Sequence, residues 1–219
     1  MTSIFLTSLF LLSTINDSVS FSTPARPLVL VPLGTGTEEL ELASITDVLN
    51  RFGCLVTTAS VMPCCSPTPK PLKMSNGLTV LPDAHISSCL STPYDAVVLP
   101  GGIPGAEHLR DSDDLLGILR RQKSTGRIIG AVYASPAVVL GTHGLLPASA
   151  TCYPSPLFQS VLTSFGATPS SLSSPVVSSP CGKIITSRGP ATAIEFALAI
   201  GGKLCGEEKM REVKGGMLA

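Results

Sequence analysis

The feature that most restricts this chain is its alternation of short apolar runs with stretches of helical period. Leu28–Leu33 (LVLVPL), Leu55–Val61, Asp95–Leu99 (DAVVL), Arg127–Val132 (RIIGAV) and Lys183–Ser187 (KIITS) each have the length and aliphatic content of a buried strand. A helix is predicted from about Glu38 to Phe52, where Leu42, Ile45, Leu49 and Phe52 share one face and Gly53 supplies the stop. Ser112 caps a second helix running through Lys123, with Asp113 and Asp114 against its dipole and Arg120, Arg121 and Lys123 at its end. Thr192-x-x-Glu195 reads as a capping box opening the helix AIEFALAIGGKL. Met62–Gly77, with four prolines, reads as a loop, and Leu78–Leu81 as a short edge strand. Gly166–Pro180, rich in Ser and Pro, reads as a surface excursion. This order predicts a doubly wound α/β domain, a mostly parallel sheet covered on both faces. The 219 residues suffice for one such domain with a real core, and hardly for two.

Fifteen basic and fifteen acidic residues cancel, so no electrostatic footprint points to nucleic acid. Ile4–Leu12 (IFLTSLFLL) has the length of a signal-peptide core and is too short to span a bilayer. Ser18-Val19-Ser20 offers a small-residue cleavage site before Phe21, but no Lys or Arg precedes the apolar run. A signal-like run followed by the acid-free FSTPARP resembles the two-part plastid presequences of algae with complex plastids. Residues 1–27 therefore read as a leader, and 28–219 as the domain. Cytoplasmic or secretory destinations are the alternatives. Seven cysteines, an odd set without C-x-x-C and with the vicinal pair Cys64-Cys65, argue against zinc and favour a reducing compartment.

Ligands of such sheets bind at the carboxyl ends of the strands. Three loops should converge there: GTGTEELE, PGGIPGAEH and the turn within RIIGAVYASPAVVL. The last has the outline of a nucleophile elbow, a strand and a tight turn of small residues followed by a helix opened by Pro136. Its apex residue is Tyr133, a phenol ionised to only about one part in a thousand at pH 7. Gly34-Thr35-Gly36 is no dinucleotide fingerprint, because Glu39 stands at the third glycine position and would repel pyrophosphate. Glu38 and Glu39 suit the helix dipole. Glu41, three residues beyond Glu38, can serve the dipole or point into the cleft. Gly101 and Gly102 can end a strand or bring backbone N–H groups close to a substrate. His85 and His143 look like loop or helix-end residues, and His108 either borders the pocket or is solvated.

Together, GTEELE, VLPGGIPGAEHL, IIGAVYASPAVVL, GLLPASATCYP and IITSRGPATAIEFALAI resemble the DJ-1/PfpI family, of class I glutamine amidotransferase-like fold, on the DJ-1 side rather than the protease-like side. The resemblance runs from about Leu28 to about Gly206. It implies that Glu41 is the pocket glutamate that bonds the nucleophile and acts as acid/base. It implies that the Gly102 and Ala134 N–H groups stabilise an oxyanion or an oxidised sulfur. Arg51 would lie near the family's dimer interface. Tyr133 would stand in place of the catalytic, oxidation-sensing cysteine, and Tyr153 where many members carry a histidine.

A family thiolate attacks a reactive aldehyde or is oxidised to sulfinate, and a phenol does neither. A Tyr133 phenol donating to the Glu41 carboxylate is the simple structural outcome. Cys152 and Tyr153, adjacent on an expected strand, should face opposite ways. Cys181 sits in the Ser/Pro loop with no partner visible in sequence. The first functional reading is a degenerate, homodimeric member acting as a binding, scaffold or chaperone-like protein in oxidative or carbonyl stress, with a small aldehyde or a protein as ligand. The second is an enzyme acting on methylglyoxal or glycated groups, and the third a thiol redox sensor using other cysteines, suggested by the pair Cys64-Cys65. None of these needs a metal or cofactor.

Overall fold

β1 (Leu28–Leu33) is buried from Val29 onward, because strands flank it and helices cover both its faces. The computed structural model describes residues 25–63, 68–169 and 174–219. After β1 come α1 (Glu39–Arg51), β2 (Leu55–Ser60), β3 (Leu72–Lys73), β4 (Thr79–Val80), β5 (Ala84–His85) and β6 (Ala96–Leu99). The chain continues with α2 (Gly105–Arg110), α3 (Asp113–Ser124), β7 (Ile128–Val132), β8 (Ser149–Ala150) and α4 (Pro156–Ser164). It ends with β9 (Thr168–Pro169), β10 (Val176–Ser178), β11 (Ile184–Ser187), α5 (Ala193–Cys205) and α6 (Glu207–Met217). The central sheet has the order β10-β11-β7-β6-β1-β2-β5 and is parallel except for β10.

Side-chain alternation along β1 sorts the core into two layers. Val29, Val31 and Leu33 pack with Leu42, Ile45, Leu49 and Phe196 of α1 and α5. Leu30 belongs to the opposite layer, with Leu109, Leu115, Ile118 and Leu119 of α2 and α3. Each fully buried aliphatic side chain of this kind contributes about 1.5–3 kcal/mol. α1 and α5 approach closely: a Cβ on Gly201 would sit 2.3 Å from the Phe52 ring. The doubly wound, flavodoxin-like class is therefore as expected. β1 pairs with β2 on one side and β6 on the other, so the loops leaving β1 and β6 run to opposite faces. The crevice between them is the switch point at which such sheets hold ligands.

Several local expectations change. Leu78–Leu81 does not edge the main sheet; Thr79–Val80 pairs with Leu72–Lys73 in a separate hairpin across Asn76-Gly77, a turn favoured by these residue types. Within Gly166–Pro180, Val176–Ser178 is a strand that extends the sheet antiparallel to β11. The Thr192–Glu195 capping box does not form. A 3-10 turn, Pro190–Thr192, precedes α5, and the Thr192 hydroxyl bonds back to Gly189 and to Ser187 Oγ at 2.7 Å. Ser112 does cap α3, accepting the Leu115 N–H. The expected leader, through residue 24, and the pair Cys64-Cys65 lie outside the described residues. Arg26, within the segment read from sequence as a leader, donates to the Gly53 and Cys54 carbonyls at 2.8 and 3.2 Å. Among the described residues, no helix is long and apolar enough to cross a membrane.

Candidate functional site

β7 ends at Val132, and Tyr133 turns the chain with φ of 60°. The left-handed region is costly for a bulky side chain, of order 1 kcal/mol or more, so the surroundings must hold it there. Tyr133 N–H donates to the Ser187 carbonyl at 3.2 Å, and Tyr153 N–H donates to the Tyr133 carbonyl at 3.0 Å. Ser135, fully buried, donates from Oγ to the Pro100 carbonyl at 2.5 Å. Pro136 then opens a π-helical run to Gly141, wider than the α-helix expected. A Cβ on Gly101 would lie 2.5 Å from Tyr133 Cβ, so the side chain rests directly on that backbone.

Glu41 lies beneath this contact, fully buried. Its Oε2 accepts the Gly101 N–H at 2.7 Å, and its Oε1 has no partner among the described residues. Burial pushes the carboxyl up to about 8; the nearby Glu38 charge adds to this, and the Gly101 N–H opposes it. Glu41 is therefore mainly protonated at neutral pH. The expected phenol–carboxylate bond does not form. The Tyr133 ring turns instead toward Tyr153 and Phe158, with centroids at 4.8 and 6.4 Å. Burial, followed by Tyr153, Glu41 and Glu38, raises the Tyr133 phenol above its ordinary value.

Above Tyr133 opens a cavity of about 290 Å³, lined also by Glu38, Gly102, Ile103 and Tyr153. Ser75, Asn76 and Pro190 complete its wall. Glu38 is the N-cap of α1: its Oε2 accepts the Glu41 N–H at 2.7 Å, and its Oε1 accepts from Asn76 Nδ2 at 3.1 Å. The dipole reading of Glu38 is thus incomplete, because the residue, 6% exposed, also lines the cavity. Ser75 and Asn76 were missed, although Asn76-Gly77 is itself the hairpin signal that could have found them.

The three predicted loops do converge. Gly102 lines the cavity with φ of 91°, and a Cβ there would meet the Gly36 carbonyl at 2.3 Å. Ala134 is fully buried behind the elbow and is not part of the cavity wall. Gly36 packs on Pro104, so the first glycine loop is closed rather than open to a ligand. Arg51 sits apart on the surface at the end of α1, paired with Asp47 at 2.8 Å. His108 does not line the Tyr133 cavity, His85 bonds Ser87 and the Met62 carbonyl, and His143 bonds the Arg110 carbonyl.

Cys152 is buried and Tyr153 is 43% exposed, opposed as expected. No strand carries them, however: β8 stops at Ala150, and Thr186 Oγ1 rather than a ladder carbonyl takes the Thr151 N–H. Burial pushes the Cys152 thiol up to about 11 and the Cys54 thiol up to about 12. Cys181 does have a partner, Ser179 Oγ at 3.3 Å, which holds its exposed thiol below the ordinary range. No group of three His, Cys, Asp or Glu side chains among the described residues could hold a metal ion.

A single doubly wound domain with a strand–elbow–helix turn over a buried glutamate, at the switch-point crevice, defines the class. The chain belongs to the DJ-1/PfpI family, whose pattern matches residues 27–202. It is 39% identical over 186 residues to "Protein DJ-1 homolog A" of Arabidopsis thaliana, covering 84% of this chain but only 45% of that relative, less than half its length. It is 34% identical over 182 residues to "Glutathione-independent glyoxalase DJR-1.2" of Caenorhabditis elegans, covering 83% of this chain and 90% of the relative. Among solved structures, "Toxoplasma gondii DJ-1, oxidized" superposes with a TM-score of 0.78 at 39% identity, covering 88% of this chain and 98% of that one.

Proposed function

We propose that this chain is a DJ-1/PfpI protein in which Tyr133 has taken the place of the nucleophilic cysteine, leaving a non-catalytic or altered member linked to oxidative or carbonyl stress. The observation that carries this reading is the state of Tyr133 itself. The phenol is more strongly held neutral than a free one, it makes no hydrogen bond to Glu41, and its ring occupies the space above Gly101. A tyrosine nucleophile needs a base to collect its proton, and burial favours the protonated form of Glu41 at neutral pH. In this reading Glu41, Gly101, Gly102 and Ala134 are the retained frame of the site, and Tyr133 and Tyr153 are its altered members. A homodimer with Arg51 near its interface, and a plastid-directing leader over residues 1–27, belong to the same proposal.

Methylglyoxal consumption by the purified chain tests it. No turnover above the protein-free rate is expected. Turnover that disappears in Glu41→Ala would overturn the reading in favour of a glyoxalase- or deglycase-type enzyme. That second reading draws on the glyoxalase named among the relatives, and on the unpartnered Glu41 Oε1, a group able to donate a proton.

A further inference from the structure

We propose that the cavity over Tyr133 binds a small organic ammonium ion, of the choline or methylated-amine class. This names the ligand of the pocket just described and rests on reading that pocket as a binding site.

Two of its walls are tyrosine rings, Tyr133 and Tyr153, with centroids 4.8 Å apart and planes at 76°. Rings set nearly at right angles make a corner, and the negative face of an aromatic ring attracts a cation within about 6 Å of its centroid. Ile103, 46% exposed, adds an apolar surface suited to methyl groups rather than to bound water. Glu38 supplies the countercharge. The Glu41 N–H and Asn76 Nδ2 hold its carboxylate in place without neutralising it, since both donors are uncharged.

Among the described residues, no Lys, Arg or His lines this cavity; Arg188 lies in the adjoining hollow, beyond the Tyr153–Pro190 rim. An anionic ligand would therefore meet Glu38 with no cation on the cavity wall to offset it. A quaternary or methylated ammonium suits this wall better than a bare one, because it gives up less hydration on entering an aromatic corner. At about 290 Å³ the cavity is at the low end for ligand pockets, which favours a compact head group.

Isothermal titration of the full chain with choline, and separately with its neutral isostere 3,3-dimethylbutan-1-ol, tests the assignment. Saturable choline binding is expected, with the isostere weaker by about tenfold or more. Tyr153→Leu, a change at a half-exposed position whose folding is checked by circular dichroism, should weaken choline about tenfold, and Tyr153→Phe should retain it. Absence of saturation, equal binding of the isostere, or unchanged affinity in Tyr153→Leu would each overturn the proposal. Methylglyoxal turnover is scored on the same preparation. A chain that turns over methylglyoxal and binds choline loses the proposed function and keeps the ammonium site. A chain inert in both assays does the reverse.

Discussion

Tyr133 and Glu41 sit on opposite sides of one backbone unit, Gly101, and each is held in its neutral form. Only Gly101 could separate them so closely, because any Cβ there would collide with the Tyr133 side chain. The neutral Glu41 has a consequence for stability. Its folded-state value of about 8 lies above its ordinary 4.5, so the folded chain keeps a proton that the unfolded chain releases between those values. Stability should therefore fall as pH rises from about 4.5 to about 8, by about 1.4 kcal/mol per unit from this group, and level off above that. Glu41→Gln should remove this slope. Urea unfolding of both proteins near pH 5 and near pH 8 measures it, and parallel pH profiles would contradict the assignment. Gly102 is the other residue with little freedom, at positive φ and wedged against Gly36 and Glu38. Gly102→Ala should cost at least about 2 kcal/mol in the same measurement.

At the scale of elements, helix packing separates two glycines that look alike in sequence. Gly201 in α5 lies against the Phe52 ring, so Gly201→Ala should destabilise by about 1–3 kcal/mol. Gly117, mid-helix in α3 with open space around it, should do the opposite when changed to Ala, gaining about 0.5–1 kcal/mol. Thermal melts of the two variants should shift in opposite directions. Most of the frame was legible in sequence, because β1, β6 and β7 are continuous apolar runs and α1 and α3 carry their own caps or stops. The elbow was legible from a similar pattern: the apolar run IIGAV, then small Ala134 and Ser135 before the helix-opening Pro136. What escaped sequence reading depends on distant partners. Val176–Ser178 is too short to show a period and becomes a strand through pairing with β11. Thr192 looks like a cap but spends its hydroxyl on Gly189 and Ser187. The Tyr133 ring orientation depends on Tyr153 and Phe158, over 19 residues away.

For the molecule as a whole, the fold is that of the DJ-1/PfpI family, and residues of three loops meet at one crevice. The proposed divergence is confined to the aromatic side chains at that crevice, over a frame of glutamate and glycines. On this account the frame is intact and only the reacting group is missing. The most direct measurement compares methylglyoxal turnover by the chain with turnover by Tyr133→Cys under identical conditions. The account predicts an inert parent and a variant that gains turnover dependent on Glu41. A parent as active as the variant, or a correctly folded variant that stays inert, would contradict it.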